Sequence, residues 1–206
     1  RDSSTSRGLG DVYKRQSTRS AVVRLSNAIA LEPFLGNLEF LTNMGLAARG
    51  KLENGIAQSE IQRSFYTYTI TVDLDRVGID GEVQITGEEK ANRVKTLLDT
   101  VQYLYRDIKG RRENLSPLFV IGGRYERRNP FFENRIRIEN DQINVETLAE
   151  LLEDDAIRTH TFTGVVTGTF DNENEIRGKL SGESVGAAFR LSLIHISEPT
   201  RRRGIS

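Results

Sequence analysis

The chain has 206 residues, 37% apolar and 28% charged, with 29 basic and 29 acidic side chains and neither cysteine nor tryptophan. That length fits one domain, or one domain with a sizeable insertion, whose core buries roughly 70% of the unfolded surface. The lack of cysteine excludes a disulfide scaffold, a CxxC redox pair and a Cys-ligated zinc in this chain, and two histidines make a His-rich metal site a poor expectation. No apolar run reaches the ~18 residues of a membrane span, and no signal-peptide pattern opens the sequence. The expectation is a soluble cytoplasmic domain, not membrane-associated, that needs no cofactor.

Residues 1–16 (RDSSTSRGLGDVYKRQ) and 191–206 (LSLIHISEPTRRRGIS) follow neither helical nor strand periodicity. Both resemble read-through of sequencing-adapter DNA, and both are expected to be non-native or disordered tails around a domain spanning 17–190. The first carries four basic and two acidic residues, the second three basic and one acidic, so the domain between them is near −4. Within it, Arg106 to Arg128 concentrates seven basic residues against Asp107, Glu113 and Glu126. A locally positive segment in an acidic domain is what phosphate contacts require.

In chain order, residues 17–64 read as loop-rich, with AVVRL a short strand and NLEFLTNMGLAARG a possible helix. Phe65 to Leu74 is the clearest strand: Tyr66, Tyr68, Ile70, Val72 and Leu74 alternate with Thr67, Thr69, Thr71 and Asp73. After VGIDGEVQITG, Thr86 with Glu89 forms a capping-box pattern that opens the clearest helix. Ala91, Val94, Leu98, Val101, Tyr105 and Ile108 form its apolar stripe, read as core packing, and Gly110 supplies its stop. Beyond the loop GRRENLSP, Leu118 to Ile121 is a short strand broken at Gly122-Gly123. RIRIE and QINV read as strands and ETLAELLED as a short helix capped by Asn144. THTFTGVVTGTF, EIRGKL and VGAAF are expected to be β, with a turn at DNEN. The fold class is α+β, fitting a ferredoxin-like or RRM-like sheet with inserted β-rich segments.

Three constellations could carry chemistry. The first is Lys109, Arg111 and Arg112 around Gly110, with Arg124 and Arg127 near Gly122-Gly123. Glycine beside arginine lets backbone amides and guanidinium forks approach a phosphate, and Tyr125 could stack on a base. The competing reading is a solvated loop whose cations complement a helix C-terminus. The second is Asp73 and Asp75 at a strand end, a carboxylate pair that could hold a metal ion in a palm-type nucleotidyl enzyme, although Arg76 stands ready to pair with either. The third is His160 among threonines, expected to be structural because no nucleophile elbow accompanies it.

Ordered blocks along the core carry a family resemblance: RLSNAIALEPF, NLEFLTNMG, QSEIQRSFYTYTITVDLDRVG, YLYRDIKGRRENLSPLFVIGG and NPFFENRI. From about Ser20 to about Phe189 the chain resembles the DevR-type CRISPR-associated proteins, backbone subunits of type I (I-B-like) Cascade complexes. The resemblance implies an RRM-like palm with inserted segments, polymerisation with copies of itself along a guide RNA, contact with other Cascade subunits, and only indirect contact with target DNA. It also implies a non-enzymatic role: the RNA is held by its sugar–phosphate backbone so that its bases stay free to pair. On that reading the RNA contacts are Lys109, Arg111, Arg112, Arg124 and Arg127, with Arg24 and Asn27 as weaker candidates. A structural or regulatory interaction domain is the other alternative. Family members carry a further N-terminal region with the first palm strand, so this chain is expected to lack that strand and to be aggregation-prone alone.

Overall fold

A computed structural model describes residues 20–42, 49–50, 56–108 and 110–197. The N-terminal part is built from short antiparallel ladders: β1 (Val23–Leu25), β2 (Ile29–Ala30), β3 (Asn37–Thr42), β4 (Ile56–Ile61), β5 (Tyr66–Thr67) and β6 (Ile70–Val72). β1 pairs with β6, β2 with β5 and β3 with β4. The expected strand Phe65–Leu74 is therefore two strands. Ser26 breaks it: its hydroxyl accepts the Thr69 amide at 2.8 Å, satisfying locally a donor that a continuous ladder would have used. NLEFLT is a strand and not a helix, since Leu38 and Phe40 alternate with Asn37 and Glu39 at period two.

A 3-10 turn at Leu74–Arg76 leads to the small hairpin of β7 (Ile79–Asp80) and β8 (Val83–Gln84), then to α1 (Gly87–Gln102). Thr86 caps α1 as expected, its hydroxyl accepting the Glu89 amide at 3.3 Å. Exposed i,i+4 pairs Glu89–Arg93 and Lys95–Asp99 line the helix. It ends eight residues before Gly110, however. Tyr105 and Ile108, assigned to the apolar stripe by sequence, lie instead in β9 (Tyr105–Ile108), which pairs with β10 (Arg111–Asn114) across a two-residue connection. Gly110 supplies the positive φ of +75° needed there, so it serves a hairpin and not a helix stop.

β11 (Phe119–Gly123) follows, then β12 (Ile138–Glu139) and β13 (Gln142–Ile143), the short helices α2 (Glu146–Ala149) and α3 (Asp155–Arg158), and β14 (Thr161–Val165). Gly122 and Gly123 extend β11 rather than break it. A Cβ on Gly123 would fall 1.9 Å from the His160 carbonyl oxygen, so glycine permits the pairing with β14. Asn144, expected to cap α2, stands one residue before its cap position Val145 and accepts the Thr147 amide from there at 3.3 Å.

The described residues close with α4 (Glu173–Lys179), β15 (Glu183–Ser184) and α5 (Val185–Ser197). EIRGKL is thus helical. Ile176 and Leu180, one turn apart, face the core, while Glu173–Arg177, half-buried, and Glu175–Lys179, exposed, form i,i+4 ion pairs. VGAAF is also helical: buried Val185, Ala188, Phe189 and Ser192 recur at helical spacing, a pattern cut short by placing a boundary after residue 190. α5 runs through that boundary to Ser197.

The core joins Ile143, Val145, Leu148, Val165, Phe170, Ile176 and Leu180, with Phe65, Phe119 and Phe132 packed against it. Phe119 meets Phe170 edge-on at 6.5 Å between ring centroids. α5 lies against β14, where Gly164 allows close approach, and α1 packs on α5. The fold is α+β. Its sheets are small: among the described residues the widest has three strands, in the order β11-β14-β15, and the β1–β6 ladder stands apart from it. A continuous RRM-like sheet is therefore not formed by these residues.

Candidate nucleic-acid interface

The basic segment Arg106–Asn114 is an antiparallel arm, exposed along almost its whole length. Register places Arg112 opposite Asp107 and Glu113 opposite Arg106. Side chains alternate across a strand, so Tyr105, Asp107, Arg112 and Asn114 share one face, and Arg106, Ile108, Arg111 and Glu113 the other. Arg111 and Arg112, neighbours in sequence, therefore point in opposite directions and cannot grip one phosphate together.

The two faces differ electrostatically. On the first, Arg112 donates from Nε and Nη2 to the two carboxylate oxygens of Asp107, at 2.9 and 3.0 Å. Its Cζ stands 4.6 Å from the centre of the Tyr105 ring. The Asp107 bond first, then the electrostatic effect of Tyr105, push the guanidinium pKa above its ordinary value. On the second face Arg106 is paired with Glu113 at 2.7 Å, whereas Arg111 makes no ion pair among the described residues. Lys109 lies outside the described residues.

The remaining candidates gather elsewhere. Arg24, on β1, bonds the Asp73 carboxylate at 3.1 Å, and Arg76 approaches the same carboxylate at 3.6 Å. Arg128 pairs with Asp75. The 124–128 segment, β1 and the Leu74–Arg76 turn are thus tied into one basic cluster. Both members of the proposed metal-binding pair, Asp73 and Asp75, serve here as arginine partners. Asn27 is exposed in the β1–β2 loop, Arg127 is exposed and Arg124 is half-buried. Tyr125 turns inward: its hydroxyl lies 2.7 Å from the Thr161 hydroxyl and its ring packs edge-to-face with Phe131 at 5.1 Å. Burial raises its pKa against the opposing effect of the Thr161 bond. It is a packing residue and not an open platform for a base. His160 is exposed in the turn before β14.

An open cleft of about 530 Å³ lies between Glu32, Pro33, Leu35 and Arg63 on one side and Ile138 to Asp141 on the other. Its lining includes Glu32, Glu139 and Asp141 against Arg63 alone, the wrong sign for a phosphate chain. Among the described residues no helix is long and apolar enough to cross a membrane, and no group of three or more acidic or histidine side chains is placed to hold a metal ion.

Sequence reasoning missed the Tyr105–Arg112–Asp107 assembly because it assigned Tyr105 to the helix. A signal was present: about the Lys109-Gly110 pair, Asp107 mirrors Arg112 and Arg106 mirrors Glu113, the complementary pattern of a hairpin.

The sequence model describing the CRISPR-associated negative auto-regulator DevR/Csa2 matches residues 11–146. The chain belongs to the DevR/Csa2 family. It is a CRISPR-associated protein. The family match spans β1 through the start of α2, and so contains both the arm and the basic cluster around Asp73. It begins at residue 11, inside segment 1–16, whose sequence predicts a tail. No curated protein and no solved structure matches the chain.

Proposed function

We propose that this DevR/Csa2-family chain is a non-catalytic subunit that holds CRISPR guide RNA by its sugar–phosphate backbone within a type I, I-B-like interference complex. Copies of itself and other Cascade subunits are its protein partners, the cytoplasm is its compartment, and target DNA meets it only through the guide. The reading is supported above all by the exposed β9–β10 arm, on which Arg111 makes no ion pair among the described residues. The basic cluster of Arg24, Arg76 and Arg128 around Asp73 and Asp75, with Arg127 close by in sequence, offers a second positive region. Backbone contacts of this kind carry no sequence information, which suits a guide whose letters vary.

The proposed role needs no chemistry from Asp73 and Asp75, whose carboxylates are engaged by arginine. The family description names an auto-regulator, and that alternative predicts a preference for duplex DNA. Filter binding separates them. Retention of unrelated single-stranded RNAs with similar affinity, above that for duplex DNA, supports guide holding; tighter binding to duplex DNA rejects it.

A further inference from the structure

We infer that Arg112, poised over Tyr105 and clamped by Asp107, is a stacking platform for an unpaired nucleobase and not a phosphate ligand. The inference rests on the RNA-binding reading above and refines what one face of the arm touches. Asp107 occupies the Nε–Nη2 edge of Arg112 with two hydrogen bonds. That edge is one on which a phosphate would dock bidentately, and the carboxylate already placed there cancels the charge and repels a second anion. Tyr105 covers one side of the guanidinium. The Arg112 side chain is nevertheless 69% exposed, so the remaining surface stays open to solvent.

A ligand for such a surface is planar, polarisable and uncharged. An unpaired nucleobase meets all three requirements, and guanidinium planes are established stacking partners for splayed bases. Two hydrogen bonds and a ring contact fix the plane in advance, so little side-chain freedom remains to be lost on binding. Tyr105, itself 56% exposed, extends the apolar area beside it. Stacking accepts every base, so the contact is compatible with a sequence-independent hold. The opposite face, with Arg111, is left for the phosphates. The arm thereby contacts bases on one side and backbone on the other.

The test compares a short single-stranded RNA with the same backbone made abasic, using the full chain and its Arg112→Lys variant, which keeps the charge and loses the plane. Arg112→Lys should weaken binding to the base-bearing RNA about fivefold or more, leave the abasic strand unaffected, and leave the salt slope unchanged. Tyr105→Leu should reproduce the selective loss, and circular dichroism of both variants controls for folding. Equal losses on both strands, or no loss on either, overturn the platform. If the wild-type chain retains no RNA at all, the RNA-binding reading itself fails. If it binds and Arg111→Ala lowers the salt slope while Arg112→Lys is silent, only the platform fails.

Discussion

The Arg24 guanidinium lies 3.1 Å from the Asp73 carboxylate, which is only 6% exposed and also faces Arg76. This contact pins β1 to the turn that precedes α1, beside the β1–β6 ladder in which Val23 opposes Val72. Removing the charge leaves Arg24 and Arg76 without their carboxylate partner beside a buried amide, although Arg76 keeps its bonds to the Ser20 hydroxyl and carbonyl. Asp73→Asn is expected to destabilise the chain by about 1–2 kcal/mol, moderated because both arginines reach solvent. A lowered urea midpoint at constant m-value checks it. The wild-type chain, for its part, should turn over no nucleotide with magnesium, and such turnover lost in Asp73→Asn would restore the palm-enzyme alternative.

Gly164 sits where α5 meets β14. A Cβ there would fall 2.8 Å from the Ala188 Cβ and 2.9 Å from the Val185 Cα, the latter a backbone atom that moves only with the helix. Gly164→Ala should therefore cost about 1–3 kcal/mol through overpacking. Hydrogen exchange checks the location: protection should fall in α5 before it falls in β13 and α2.

Glu173 accepts the Gly168 amide at 2.7 Å and an Arg177 Nε at 2.7 Å. Those bonds, the Gly168 amide first, hold its pKa below the ordinary carboxylate value. A group depressed in the folded state stabilises at pH above its unfolded pKa, and that contribution disappears as pH falls through the folded value. The Lys179 bond, then Asn172, act on Glu175 in the same direction. Stability should be flat near neutrality in this respect and fall on acidification below about pH 4.5. Glu173→Gln should shallow that acid limb; an unchanged limb would show that the bonds do not persist in solution.

Local signals survived into the structure where they were self-contained. Thr86 caps α1, Asn144 bonds the Thr147 amide, and the α+β class follows from the mixture of periods in the sequence. The failures share a cause, which is that a neighbour far along the chain decided the outcome. Ser26 splits the Tyr66–Val72 strand from more than forty residues away. The apolar spacing through Tyr105 and Ile108 continued the helical period, yet cross-strand charge pairs and the positive φ of Gly110 placed both in a hairpin. The helical spacing of Val185, Ala188 and Phe189 needed Ser192 to declare itself. At the site, the clustering of cations was legible, but their division between two faces of an arm was not, because it depends on the β9–β10 register. Nor could composition show that Arg24 and Arg112 each have a carboxylate partner while Arg111 has none among the described residues.

The most direct measurement is the affinity for single-stranded RNA as a function of salt, compared between the wild-type chain and Arg111→Ala. A linear fall of log affinity with log salt is expected, with the slope reduced by ~0.7 in Arg111→Ala for the one phosphate contact removed. A wild-type affinity indifferent to salt, or a slope that Arg111→Ala leaves unaltered, would contradict the assignment of this arm to the RNA backbone.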